Sequence, residues 1–484
     1  MTAKSAATNN IESIYPLSPM QQGLLYETLY SKSGEYFQQL SHTIKGRLNA
    51  EALKCAWERV VERHPALRTL FLWERYDSPL QVVRKQVNLP WSEYDWRNLP
   101  QAEQEDRLQG FLRAERELGF ELTKAPLMRL TLFHLADETY EFVWSHHHIL
   151  MDGWSGALIR NEVYAFYDAI VNERDLRLGQ PRPYKHYISW LQQQDLSQAE
   201  AFWSKMLKGF KKPIPLGSRI SHNPVSKRKE YDVCGTMLSD KVTASLQTLA
   251  RQNRLTVNTL MQGVWSIILW HCSKETDLVF GSVVSGRPPE IEGVESMVGV
   301  FINTLPVRMQ IDLEASLLSW LQDHQSQQIA RQRFEYSPLV DVQRWSEVPH
   351  GQPLFESILV FQSYPQEMPR GEKGNAQENA LEFLNPRAMI RNNYPLTFRA
   401  IPGAGLQLQL LYDINRFEFQ TIMRMLRNLE TLIMKMLAQI DSKLKEFLQL
   451  VEEADRQQRA VEEKDFKESR KLSIRKIKRN AIEM

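Results

Sequence analysis

The sequence predicts an α/β fold of two similar lobes, each a mixed sheet with flanking helices. Its length of 484 residues exceeds the usual size of one hydrophobic core, so more than one packed unit is expected. A hairpin, a loop and a helix follow one another at residues 127–170, and the same order recurs at 396–437. This repeated order predicts that the two lobes share one architecture.

The first helices are predicted from their N-terminal caps. Ser18, Pro19 and Gln21 follow the order of an N-cap, a proline in the first helical turn and a capping-box glutamine. Asn49 has the residue type of an N-cap for a second helix, which Pro65 is expected to end. We therefore expect one helix to begin near residue 18 and another just after residue 49.

A hairpin and a helix joined by a histidine-rich loop come next. Residues 127–145 predict a hairpin that turns at 136–139, and residues from Gly153 onward have helical spacing. The sequence between them is HHHILMDG. Because functional groups are often held on loops that a rigid scaffold positions, we expect the active site on this connection.

The second lobe repeats this order without the histidines. Residues 396–411 predict a hairpin that turns at 402–405, and a helix is predicted from about residue 417 to 437. The loop between them, Tyr412 to Phe417, contains no imidazole. Only the first lobe is therefore expected to supply a base.

Changes in composition divide the chain into three ranges. The segment GQPRP at 179–183 breaks the apolar pattern and is the expected linker. We assign 1–178 to an N-terminal lobe and 179–440 to the linker and a C-terminal lobe. Residues 441–484 are rich in mixed charge and are expected to form a solvated helix or linker toward a following domain.

His148 is the candidate general base. An imidazole, with an unperturbed pKa of about 6.5, can take a proton from an amine or hydroxyl near neutral pH. Asp152 could orient an imidazole directly, or it could pair with a cation and so fix the loop; the sequence does not separate these two roles. Gly153 lets the backbone approach a substrate, and the N–H groups of the helix that it opens could stabilise an oxyanion.

Other interpretations of the loop are weaker. A histidine at a strand end is often only a satisfied polar group. A zinc site is disfavoured because neighbours in an extended run point to opposite faces, and the chain has neither an HExxH helix nor paired cysteines. A nucleophilic Ser155 is disfavoured because the sequence misses the GxSxG spacing by one residue.

The loop and five further segments resemble the core motifs of one enzyme family. HHILMDG matches the HHxxxDG signature of condensation domains from nonribosomal peptide synthetases, and the resemblance spans residues 12–440. Six motifs in the expected order make it specific. The other five are YPLSPMQQGLL at 15–25, RHPALRTLF at 63–71, YKHYISW at 184–190, VGVFINTLPVR at 298–308 and YSPLVDVQ at 336–343.

The resemblance implies a fold and a reaction. Condensation domains resemble chloramphenicol acetyltransferase subunits arranged as a V-shaped pseudo-dimer, with the active site between the lobes where two tunnels meet. The tunnels admit thioesters on the phosphopantetheine arms of an upstream donor and a downstream acceptor carrier domain, so no cofactor is expected to bind this chain directly. The implied reaction forms an amide at His148, and a following adenylation domain is a further expected partner.

Four other residues are assigned by the same resemblance. Arg287 matches the family arginine that pairs with the motif aspartate, here Asp152. Asn303 lies in an apolar strand, where its amide either bonds the backbone locally or faces the tunnel and contacts a substrate; the resemblance favours the second. His147 is expected to face away from the base, and Arg68 to support the site from behind, both in structural roles.

Departures within the superfamily indicate a subtype. Heterocyclisation domains carry DxxxxDxxS in place of the histidines, epimerisation domains differ in the later strand, and degenerate recruitment domains lose the motif. This chain looks most like the LCL type, which joins a donor ending in an L-residue to an L-acceptor. Two alternatives remain: a free-standing acyltransferase that uses coenzyme A thioesters, and a non-catalytic module that docks carrier proteins.

Composition gives no support to several other classes of function. The net charge of +2 does not favour nucleic-acid binding, and no apolar run approaches the roughly 20 residues that span a bilayer. Cys55, Cys234 and Cys272 are scattered, as expected of reduced thiols. We therefore expect a cytoplasmic protein that binds neither nucleic acid nor membrane.

Overall fold

A computed structural model describes most of the chain, with residues 388–389 and 465–480 as backbone only. The described ranges are 10–30, 36–74, 76–217, 230–362, 381–389 and 393–480. Their strands are β1 Ile11–Pro16, β2 Phe37–Lys45, β3 Thr69–Leu72, β4 Leu80–Arg84, β5 Trp91–Asp95, β6 Met128–Ala136, β7 Thr139–His147, β8 Tyr231–Leu238, β9 Asp277–Val284, β10 Asn303–Gln310, β11 Ser357–Phe361, β12 Glu382–Met389, β13 Leu396–Pro402 and β14 Leu406–Asp413.

Helices pack on these strands throughout. They are α1 Pro19–Tyr30, α2 Ala50–Arg63, α3 Gln101–Leu118, α4 Gly153–Val171, α5 Lys185–Leu191, α6 Leu196–Met206, α7 Asp240–Gln252, α8 Val257–Ser273, α9 Leu317–Gln332, α10 Leu339–Arg344, α11 Phe419–Ala438 and α12 Leu444–Asn480, with short 3-10 turns at Pro65–Arg68 and Val294–Ser296.

The first lobe is built on a mixed sheet with the strand order β12-β2-β7-β6-β5. Strands β5 and β6 are parallel and the other neighbours are antiparallel. Because side chains alternate along a strand, Phe142 and Trp144 of β7 pack with α2 and α4, while Val143 packs with α3 on the opposite face. A small antiparallel sheet, β1-β4-β3, adjoins this lobe.

The second lobe has a mixed sheet with the order β10-β9-β11-β13-β14-β8. Its central strands β9, β11 and β13 run parallel. Helices α8, α11 and α12 bury their apolar sides in the core on one face, and α6 and α10 contribute to the core on the other. Both lobes are therefore sheets covered on two faces, and the predicted α/β class is confirmed.

The local predictions for helices and hairpins are confirmed. The hydroxyl of Ser18 accepts from the Gln21 N–H at 3.2 Å, and the Gln21 side chain accepts from the Ser18 N–H at 3.0 Å, which is a reciprocal capping box. Asn49 accepts from the Ala52 N–H at 3.0 Å and caps α2. The hairpins β6–β7 and β13–β14 turn where predicted, and each is followed by a long helix.

Two elements of the structure do not follow the predicted division of the chain into three ranges. Strand β12 lies in the range assigned to the C-terminal lobe, yet it pairs with β2 and completes the sheet of the first lobe. Helix α12 begins within the range assigned to a separate charged segment, but Leu444, Phe447, Leu448 and Val451 are buried in the core of the second lobe. The first two turns of α12 thus belong to that lobe, because their apolar side chains have a surface to cover.

Within the described ranges, no helix combines the length and apolarity that a membrane-spanning segment needs.

Candidate active site

The histidines lie where β7 ends and α4 is about to begin. His147 is the last residue of β7, and Gly153 is the first of α4. His146 and His147 are buried, while His148 keeps part of its surface exposed. The strand therefore runs two residues further than the sequence predicted and includes His146 and His147, so only His148 lies on the connection.

His148 is held in one orientation and one tautomer. Its Nδ1 lies 2.9 Å from the Met151 carbonyl oxygen, which can only accept, so the ring proton resides on Nδ1. Its backbone N–H donates to the Tyr36 carbonyl at 2.9 Å. Burial lowers the pKa of His148 below its usual value, although the Met151 carbonyl and the Asp152 carboxylate act in the opposite direction. The imidazole is thus neutral near pH 7, with the Nε2 lone pair as its basic site.

His147 makes hydrogen bonds to the loop and to α1. Its Nδ1 accepts from the Ile149 N–H at 3.1 Å, and its Nε2 lies 3.2 Å from the Thr28 hydroxyl of α1. Burial lowers the pKa of His147 to about 3, so this ring also remains neutral. Both ring nitrogens are therefore used to hold the loop and α1 together.

Asp152 is engaged away from the imidazole. Its Oδ1 accepts from the Ser155 N–H at 2.8 Å and caps α4, and its Oδ2 accepts from the Phe301 N–H at 3.0 Å. Oδ1 also lies 3.4 Å from Nη2 of Arg287. Of the two roles that the sequence left open, the geometry supports the pairing with a cation that fixes the loop.

Arg287 joins the two lobes at this point. Its guanidinium donates to the carbonyls of Val294 at 2.5 Å and Met297 at 3.0 Å, and to the Ser155 hydroxyl at 3.0 Å. The side chain of Arg287 is 5% exposed and that of Asp152 is 0% exposed, so water does not screen the pair. The arginine therefore locks the N-terminus of α4 to the segment before β10.

Ser155 contributes to the same junction. It is fully buried, its hydroxyl donates to the Gly299 carbonyl at 2.9 Å, and it accepts from the Gly299 N–H at 3.2 Å. The indole N–H of Trp154 donates to the Glu295 carbonyl at 2.9 Å. A hydroxyl bound in this way is not available as a nucleophile, in agreement with the weak GxSxG match.

Two glycines permit the close approach of the segments. A Cβ on Gly299 would lie 2.2 Å from Cδ2 of Tyr184, and one on Gly286, which has a φ of +59°, would lie 1.8 Å from the Phe301 carbonyl oxygen. The Tyr184 ring cannot retreat easily, because it is buried and its hydroxyl donates to the Val300 carbonyl at 2.5 Å. The junction therefore requires residues without side chains at both positions.

Substituting Gly299 by Ala should destabilise the protein by about 1–3 kcal/mol, the usual cost of overpacking. Denaturant unfolding of the purified variant measures this. Gly23→Ala is the matched control, because a Cβ there meets nothing within 4 Å and alanine favours a helix over glycine. A Gly299→Ala protein as stable as the parent would show that the junction is looser than the structure indicates.

Asn303 and Arg68 make their hydrogen bonds to groups other than the base. The Asn303 side chain accepts from the adjacent Thr304 N–H at 2.9 Å, which is the local backbone bond of the first alternative. Its amide also donates to the carbonyls of Glu335 at 2.8 Å and Ser337 at 2.7 Å, more than 30 residues away. Arg68 is buried and donates to Glu12 at 2.7 Å and to the Val61 carbonyl at 3.1 Å. Both support the packing of loops, and the structure does not bring either beside His148.

Gln21 is a residue of the site that sequence reasoning did not find. Its Nε2 donates to the Ile149 carbonyl at 3.0 Å, which fixes the middle of the histidine loop to the start of α1. The sequence predicted its capping role, and its place in the first family motif was the available signal. Its contact with the loop, 128 residues away, has no local signature.

The oxyanion role predicted for Gly153 stays a prediction. Gly153 opens α4, where N–H groups point toward the loop.

Among the described residues, no group of three or more His, Cys, Asp or Glu side chains is arranged to hold a metal ion.

The fold and the site together define a class of protein. A neutral imidazole, whose Nε2 makes no hydrogen bond within the described residues and is therefore open, lies beside the junction of two similar sheets, and a buried ion pair fixes its loop. A neutral imidazole with a free ring nitrogen is what general base catalysis requires.

Comparisons with known proteins identify the family. The sequence profile described as Condensation domain matches residues 11–459. One of the linear gramicidin synthase proteins of Brevibacillus parabrevis is 41% identical over 456 residues, which are 94% of this chain and 9% of that protein. Bacitracin synthase 3 from Bacillus licheniformis is 33% identical over 460 residues, 94% of this chain and 7% of that protein. The chain thus spans less than a tenth of the length of these relatives.

Solved structures show the same fold. The starter condensation domain of rhizomide synthetase has a TM-score of 0.72 at 18% identity, covering 89% of this chain and 98% of that one. The first condensation domain of the calcium-dependent antibiotic synthetase has a TM-score of 0.74 at 15% identity, covering 90% and 99%. The two-lobed, chloramphenicol acetyltransferase-like fold is therefore confirmed.

The chain belongs to the condensation domain family of nonribosomal peptide synthetases. Domains of this family are acyltransferases that form amide bonds. The predicted family and class of reaction are confirmed.

Proposed function

We propose that this chain joins a donor aminoacyl or peptidyl thioester to an acceptor aminoacyl thioester, both presented on phosphopantetheine arms of carrier domains. The observation that carries the proposal is the open Nε2 of His148, in a loop that hydrogen bonds hold from both lobes. Similarity to the gramicidin and bacitracin synthases supports it.

The proposed step is an aminolysis. The acceptor amine attacks the donor carbonyl, the new C–N bond forms, and the C–S bond to the donor arm breaks. His148 Nε2 takes the proton that the nitrogen loses and returns one to the departing thiolate. The lengthened chain stays on the acceptor arm. His148 must come within about 2.6–3.2 Å of the amine for this transfer.

Positioning contributes beside proton transfer. Holding two reactants in a productive geometry can supply roughly 7–11 kcal/mol of the barrier reduction. The Asp152–Arg287 pair and the Gln21–Ile149 bond hold the loop in one conformation. Asp152, Arg287 and Gln21 accordingly act by positioning His148. Gly153 faces the oxyanion that develops on the donor carbonyl.

The partners follow from the family. An upstream donor carrier and a downstream acceptor carrier supply the two thioesters, and an adenylation domain follows. One structure with the same fold is a four-domain nonribosomal peptide synthetase bound to AMP and glycine, of which this chain covers 34%. The retained HHILMDG and SPMQQGLL sequences support an L-donor and an L-acceptor.

Donors attached to a carrier should be used at least about 10²-fold more efficiently than the same acyl groups on free coenzyme A, because tethering raises their effective concentration. The measurement is the yield of dipeptidyl product on the downstream carrier with matched donors. Donors ending in L- and D-residues in the same assay test the subtype. Equal efficiency with coenzyme A donors would favour the free-standing acyltransferase, and binding of carriers without product would favour the docking module.

A further inference from the structure

Two oppositely charged side chains near the end of α9 lack a matching partner. Arg331 is 5% exposed, and among the described residues its guanidinium makes a single hydrogen bond, from Nη1 to the Pro306 carbonyl at 3.3 Å, while its Nε has no partner there. Glu335 follows one turn later and is half-buried. In the described part of the chain, its carboxylate makes neither a hydrogen bond nor an ion pair, even with Arg331.

A carboxylate in this setting is costly unless something binds it. Burial raises the pKa of Glu335 to about 7, although Arg331 acts in the opposite direction. Such a group, half-buried and unpaired, is a candidate for a functional site rather than for stabilisation.

The turn that bears Glu335 is fastened to the active-site loop. Asn303 donates to the carbonyls of Glu335 and Ser337, at 2.8 and 2.7 Å, and so fixes the backbone on both sides of Tyr336. Phe301, two residues before Asn303, donates its N–H to Asp152 at 3.0 Å. A short series of hydrogen bonds therefore links Glu335 to the loop of His148.

Tyr187 shows how near the two charged regions are. Its ring centroid lies 4.6 Å from that of Phe301. Burial raises the pKa of the Tyr187 hydroxyl, Asp152 and Glu335 act in the same direction, and Arg287 acts against them. Glu335 thus lies on the second lobe, in the turn bound by Asn303, which is two residues along the chain from the Phe301–Asp152 hydrogen bond.

We infer that Glu335 receives the α-ammonium group of the acceptor aminoacyl thioester, and that Asn303 positions it for this. The inference rests on the proposed function. An ammonium would supply the counter-charge that the carboxylate lacks, through a charge-assisted hydrogen bond.

The test is a binding measurement that needs no turnover. The acceptor carrier is loaded either with an aminoacyl group or with the same acyl group lacking its amine, and the Kd of each is measured by fluorescence anisotropy without a donor. The parent should bind the aminoacyl carrier at least about 10-fold more tightly, as for a hydrogen bond to a charged group. Glu335→Gln should lose this preference and bind the deamino carrier as the parent does.

Glu117→Gln is the control, because Glu117 is an exposed carboxylate of α3 in the first lobe. A Glu335→Gln protein that keeps the preference, or a parent that shows none, overturns the inference. Equal weakening of both carriers, together with a lower midpoint of thermal unfolding, also overturns it, because that result assigns Glu335 a structural role. Failure of the proposed function is distinguishable: the parent would give no dipeptidyl product with loaded carriers, whatever its binding preference.

Discussion

Replacing His148 by Ala should lower the rate of peptide bond formation by at least about 10², the low end of the contribution of general base catalysis. The variant should fold, because the hydrogen bond from the His148 ring to the Met151 carbonyl is local and the backbone N–H that donates to Tyr36 remains. Single-turnover transfer between two loaded carriers measures the effect. An exposed histidine, His350, provides the matched control, since His350→Ala should leave the rate unchanged.

The pH dependence of kcat/KM provides a second test of His148. Since burial lowers the pKa of His148, the basic form should persist as pH falls, and kcat/KM should decline only below the usual histidine value of about 6.5. The decline should be missing from the residual activity of the Ala variant.

A folded His148→Ala protein that joined the two carrier-bound aminoacyl groups at the parental rate would rule out proton abstraction by His148.

The ion pair between Asp152 and Arg287 should have the largest effect on stability. Each substitution by Ala leaves the other charge buried, and we expect a loss of about 3–5 kcal/mol from the free energy of unfolding in each case. The double variant should lose clearly less than the sum, because neither charge is then stranded. Urea unfolding of the four proteins of the cycle measures this coupling.

The exposed pair Arg47 and Glu138 is the natural comparison. Its side chains are 78% and 57% exposed, so solvent screens the interaction and a cycle there should show little coupling. Strict additivity for Asp152 and Arg287 would show instead that the two residues stabilise the junction independently. Such a result would leave the capping of α4 as the main contribution of Asp152.

The sequence could predict those elements whose causes are local. Ser18 and Asn49 cap their helices through N–H groups three residues away, and the alternation before His147 defines a strand without reference to the rest of the chain. The role of Asp152 was undecided because its partners, Phe301 and Arg287, are more than 130 residues distant. Spacing along a chain carries no information about such contacts.

Asn303 illustrates the limit of a family resemblance. The motif placed it correctly in a strand, and the resemblance favoured contact with a substrate. The structure instead directs its amide to the backbone of Glu335 and Ser337. Nothing in the sequence marks Glu335 for a function, because the lack of a partner for its carboxylate can be recognised only in the folded structure.

Strand β12 has a consequence for attempts to recombine such enzymes. It pairs with β2 over residues 382–389. The backbone N–H and C=O groups on the outer side of β2 are therefore paired with a strand that lies more than 330 residues later in the sequence. An N-terminal lobe cut out at residue 178 would leave β2 as a bare edge, with unpaired N–H and C=O groups that invite aggregation. Grafting between synthetases should therefore transplant both lobes together, since a crossover between them would separate β2 from the strand that completes its sheet.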